Sequence, residues 1–122
     1  MSFHGTTVTF FRRSDGAYVG YRTEGHTGYA RAGVDIVCAA VSALTQSTLN
    51  GLENVLCAPV RARISDRPAL LEVEFKPDVP PSQLSQAQLL LVTLLEGLRA
   101  IERGYPRNVR IIIEERRENT CS

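Results

Sequence analysis

Residues 84–101 carry the pattern that most restricts the fold. Leu84, Leu91, Leu94, Leu95, Leu98 and Ile101 recur at the three- and four-residue spacing of an amphipathic α-helix. Such a stripe has to be covered, so the remaining chain must supply an apolar surface for it. Ser85 and Gln88 read as a capping box at its start, with Leu84 stapled onto Leu89. Arg99 and Arg103 suit its negative end, and Gly104-Tyr105-Pro106 stops it.

The surface comes from segments of strand character. Thr7–Arg12 and Tyr18–Glu24 are rich in β-branched and aromatic residues and flank Ser14-Asp15-Gly16, which predicts a hairpin. Val60–Ile64 and Ala69–Phe75 read as two further strands, joined through Ser65-Asp66-Arg67-Pro68. Pro77–Ser82 reads as a connector. Val109–Ile113 forms the last strand and is expected to dissolve into Glu114-Glu115-Arg116-Arg117. Between the first two pairs of strands lies a second helical segment. Asp35 is expected as its N-cap, and Ile36, Val37, Ala40, Val41, Leu44, Leu49, Leu52 and Val55 are its apolar positions. Gly51 weakens its far end, which should fray between Leu52 and Leu56.

The order ββαββαβ implies an α+β fold, a single mixed β-sheet with two helices packed on one face. At 122 residues the chain reads as one domain, 1–122. Its 14 Lys and Arg against 13 Asp and Glu give a net charge of +1, which argues against direct nucleic-acid binding. The stretch Leu89–Leu98, interrupted by Thr93 and Glu96, is too short to span a bilayer, so no membrane association is expected. Met1–Gly5 has no secretory signature. Three cysteines leave no complete disulfide framework. Along a continuous helix Cys38 and Cys57 would stand roughly 28 Å apart, and Cys121 lies in a polar tail. A reducing cytoplasm fits this usage.

Candidate chemistry concentrates between the second strand and the first helix. Of the two histidines, His4 reads as a solvated tail residue, whereas His26 opens a glycine-rich loop whose far end is Asp35-Ile36-Val37-Cys38. With Asp35 as cap, Cys38 falls at the third helical position, among N–H groups without partners, whose dipoles favour a thiolate. A neighbouring imidazole would complete a nucleophile–base pair. The plainer reading is equally available: a small buried cysteine and a loop histidine. Ser42 lies one turn beyond Cys38 on the same face and reads as a packing serine or a cleft residue. Tyr29 is a loop anchor or a substrate contact. No CxxC, HExxH, P-loop or GxGxxG pattern occurs, so no metal or cofactor is expected.

Gly25-His26-Thr27-Gly28-Tyr29-Ala30, followed by Gly33-Val34-Asp35-Ile36-Val37-Cys38-Ala39-Ala40-Val41-Ser42-Ala43-Leu44-Thr45-Gln46, resembles the bacterial ribosomal-processing cysteine protease family, Prp. Asn50-Gly51-Leu52-Glu53, residues 94–101 and Tyr105-Pro106 extend the resemblance over nearly the whole chain. One departure is Thr27, where the family commonly carries alanine. The resemblance implies a cysteine endopeptidase that removes the N-terminal extension of a large-subunit ribosomal protein precursor, working as a cytoplasmic homodimer without a cofactor. It implies Cys38 as nucleophile and His26 as general base and then acid, with Asp35 and Ser42 in supporting or substrate-binding roles. Backbone N–H groups at the helix start are expected to stabilise the oxyanion, and the loop from Thr27 to Val37 to close over the peptide.

Two other classes remain to be separated from this one. A non-catalytic peptide-binding module in ribosome assembly would use the same groove with Cys38 inert. A thiol redox sensor would need Cys57 or Cys121 beside Cys38.

Overall fold

A computed structural model of the chain describes residues 5–25, 32–66 and 68–117, with 32–35 as backbone only. Strands β1 (Thr6–Arg13) and β2 (Tyr18–Glu24) are followed by helix α1 (Ala32–Asn50), which continues as a wider π-helical turn over Gly51–Val55. Then come β3 (Val60–Asp66), β4 (Ala69–Phe75), helix α2 (Pro81–Gly104) and β5 (Val109–Arg116). The strands form one sheet in the order β3-β4-β2-β1-β5. Only the β1–β5 pairing is parallel; β1–β2, β2–β4 and β3–β4 are antiparallel. This is the mixed sheet with helices on one face that the residue pattern implies.

Strand alternation divides the sheet into two unlike faces. Val8 and Phe10 of β1, Tyr21 of β2, Leu71, Val73 and Phe75 of β4 and Val109 of β5 are buried towards the helices. They meet Val37, Val41, Leu49 and Leu52 from the first helix and Leu84, Ala87, Leu91, Leu94, Leu95 and Leu98 from α2. By length and composition the 24-residue α2 could cross a bilayer, which the interrupted Leu89–Leu98 run alone did not suggest. In the fold its apolar stripe is spent on the sheet.

Among the described residues the other face has no helix, yet Phe11 is 0% exposed there. The guanidinium of Arg116 lies 3.9 Å from its ring centroid and that of Arg22 5.3 Å, a cation–π cover. Arg22 is held in turn by Glu24 and Glu72, and Arg116 by Glu74 and Glu114. This explains why β5 runs on to Arg116 where the charged sequence suggested an end: alternating charges are what a solvent-facing row of cross-strand pairs requires.

Both helix starts differ from expectation. Helix α1 begins at Ala32, so Asp35 is its fourth residue and not its N-cap. Helix α2 has Pro80 as N-cap and begins at Pro81, the first helical position, which proline favours because its missing N–H would be unpaired anyway. Ser85 and Gln88 therefore lie inside the helix and form no capping box. Leu89 is 76% exposed and staples nothing. Gln88 docks the helix instead: its Oε1 accepts the Tyr18 N–H at 2.7 Å and its Nε2 donates to the Tyr18 carbonyl at 2.8 Å. Of the apolar positions assigned to the first helix, Ile36 and Val55 face outwards, and the part-exposed Leu44 lies along Gly97 of α2.

A second tie fixes α1 over the sheet. The buried Tyr21 hydroxyl donates to the Thr45 carbonyl at 2.6 Å, while the Thr45 hydroxyl donates back to Val41 O at 2.9 Å. Burial, with Glu53 nearby, holds the Tyr21 phenol well above its ordinary ionisation range, so it remains a donor at any working pH. Tyr21→Phe is expected to cost about 1 kcal/mol, read as a lowered denaturant midpoint with an unchanged slope.

Candidate active site

Cys38 is the seventh residue of α1. It is half-buried and its thiol is free. The helix lays it against the first residue of β1, where the Thr6 hydroxyl stands 4.0 Å from Sγ. Thr6 is held in turn by its backbone N–H, which donates to Asn108 O at 2.9 Å. Cys38 opens onto a cavity of about 560 Å³, within the range of ligand-binding clefts.

The cavity arises from a mismatch between the layers. The helix layer does not cover β3, the edge strand, so Ile64 remains 70% exposed on the face that β4 turns towards the core. One wall is α1, with Ser42, Gln46, Leu49 and Asn50. The other wall is built from the ends of β2, β3 and β4, with Thr23, Ile64, Asp66, Leu70 and Leu71. Both walls mix polar and apolar groups, with the exposed Ile64 on the strand side facing Ser42, Gln46 and Asn50 on the helix side. No group of three or more potential metal ligands occurs among the described residues.

Cys38 and Ser42 are therefore brought together on one cavity wall. His26, Thr27, Tyr29, His4 and Cys121 lie outside the described residues, as does the side chain of Asp35. The expected closing loop, Thr27 to Val37, lies outside the described residues as far as position 31, and from Ala32 onward that stretch is the start of α1 and not loop. The oxyanion site expected at the helix start needs correction. The unpaired N–H groups of α1 belong to its first turn, beginning at Ala32, about one turn or more before Cys38. Cys38 thus does not sit at the third helical position. Cys57, a suggested resolving partner in a redox device, is a free, exposed residue with φ of 51° beyond the helical segment.

The residue pattern did not single out Thr6 or the strand wall, because their proximity to Cys38 depends on sheet order. Gln46 and Asn50 did leave a signal: with Cys38 and Ser42 they repeat at every fourth position.

The comparisons agree with this architecture. A Streptococcus mutans protein of solved structure superposes with a TM-score of 0.80 at 26% identity, over 92% of this chain and 99% of its own. The S. aureus ribosomal processing protease Prp, solved with a covalently linked product peptide, superposes with a TM-score of 0.75 at 25% identity, over 89% of this chain and 99% of its own. The ribosomal processing cysteine protease Prp of Bacillus subtilis is 28% identical over 104 residues, covering 85% of this chain and 93% of that protein. The family model of the cysteine protease Prp matches residues 6–110, and the chain belongs to that family of cysteine proteases.

Proposed function

We propose that this cysteine protease removes the N-terminal extension of a large-subunit ribosomal protein precursor, with Cys38 as nucleophile and His26 as its base. The observation that carries the reading is the placement of Cys38, a half-buried free thiol in the wall of a peptide-sized cavity. The B. subtilis and S. aureus relatives, both ribosomal processing proteases, support a substrate from ribosomal processing.

The chemistry follows from the two side chains. His26 takes the Cys38 proton, and the thiolate attacks the scissile carbonyl carbon to form a tetrahedral intermediate. As that intermediate collapses, the C–N bond breaks and His26 protonates the leaving amine, which leaves a thioester on Cys38. Water, deprotonated by His26, then hydrolyses the thioester and restores the thiol. Ser42, one turn along the wall, contacts the bound peptide. In this reading the enzyme is a cytoplasmic homodimer.

The test is incubation of the purified protein with the full-length precursor from the same organism, read by intact mass. A single cut near the precursor's N-terminus is the expected result. Binding without any cut would favour the non-catalytic peptide-binding module instead.

A further inference from the structure

Helix α1 carries a polar row that the bond-breaking chemistry does not use. Beyond Cys38 and Ser42, Gln46 and Asn50 continue the same i, i+4 line, and all four border the one cavity. Gln46 and Asn50 are exposed. Among the described residues neither side-chain amide has a hydrogen-bond partner, and Asn50, at the junction with the π-helical turn, makes no side-chain cap.

Their spacing matches an extended peptide. Residues four apart on an α-helix are separated by about 6 Å along its axis. An extended chain advances roughly 6.8 Å every two residues, the interval at which its paired N–H and C=O groups point the same way. A carboxamide offers both an acceptor and a donor, so it can take the N–H and C=O of one extended residue together. This chain already contains that arrangement. Gln88 of α2 grips both backbone groups of Tyr18, in β2, at 2.7 and 2.8 Å. Across the cavity from Gln46 and Asn50, the exposed Ile64, beside the buried Leu71, offers apolar surface for side chains pointing away from the helix.

We infer that Gln46 and Asn50 form a backbone clamp for the substrate, holding an extended segment along α1 as Gln88 holds Tyr18. The inference rests on the endopeptidase reading and adds a binding site to it. Gln46 and Asn50 lie about 12 and 18 Å from Cys38 along the helix axis. The gripped residues are therefore about four to six places from the scissile bond, on one side of it. Because the clamp reads main chain, it imposes a length requirement on the substrate more than a sequence at those places.

The experiment is steady-state cleavage of a peptide spanning the precursor's cut site by the wild type, Gln46→Ala, Asn50→Ala and the double variant. The same enzymes are then given peptides shortened to three residues on either side of the bond. Each single substitution is expected to raise KM about five- to tenfold while kcat changes less than twofold. With the peptide shortened on the clamped side, wild type and variants should show the same KM. Gln46→Glu and Asn50→Asp, which keep size and lose the donor, should fall between wild type and alanine. Thermal melts establish that all variants fold. A wild-type KM in the double variant, or an alanine penalty that persists on both shortened peptides, overturns the clamp. No cleavage by the wild type overturns the endopeptidase reading and the clamp with it, whereas a wild type that cleaves beside variants with unchanged KM removes the clamp alone.

Discussion

Cys38→Ala is expected to lower kcat/KM by about 10⁶-fold, the scale seen when a covalent nucleophile is removed. The fold should hardly register the change. One sulfur is lost from a half-buried position on α1, and alanine is the best helix former. The melting temperature is therefore expected to stay within a few degrees of wild type. The matched control is Cys57→Ala. Cys57 is exposed, lies beyond the helical segment and does not line the cavity, so that variant should cleave at the wild-type rate. Paired assays and melts on the two variants separate loss of a reacting atom from loss of structure.

Phe10→Ala has the largest expected effect on stability. Phe10 is 0% exposed in the middle of β1, with ring centroids 5.9 Å from Tyr18 and 6.0 Å from Tyr21. Truncation leaves a cavity between sheet and helices and is expected to cost about 4 kcal/mol. For a domain of this size that is roughly 15 °C in melting temperature. The effect should reach the active site, because Tyr21 is the residue whose hydroxyl ties α1 to the sheet through Thr45. A denaturant titration checks the first claim. The alkylation rate of Cys38 by iodoacetamide, compared between Phe10→Ala and wild type at a temperature where both are folded, checks the second.

The order of elements and the single mixed sheet were legible because each has a local signature. Strands β2 and β4 fall where alternation places them, Tyr18–Glu24 and Ala69–Phe75. Helix starts were less legible, because several residues compete for them. Ser85 and Gln88 satisfy a capping pattern, yet prolines at 80 and 81 begin the helix a turn earlier, and Gln88 is taken by Tyr18. The last strand was read short because Glu114 and Arg116 look like a solvated tail until Phe11 is placed beside them. At the site, Cys38 and Ser42 could be paired from helix periodicity alone. Thr6, Ile64 and Leu71 could not, since they reach the cavity only through the order β3-β4-β2-β1-β5. The misplaced helix start also shifted Cys38 from the third helical position to the seventh, which removed the expected oxyanion site at the first turn.

The most direct test of the central claim, covalent catalysis at Cys38, is acid quenching of the wild-type reaction with the cut-site peptide during turnover, followed by peptide mapping. The account predicts an adduct equal in mass to the acyl half of the substrate on the fragment carrying Cys38, absent from the fragment carrying Cys57 and absent from Cys38→Ala. Cleavage by Cys38→Ala at the wild-type rate, with no adduct on the wild-type enzyme, would contradict it.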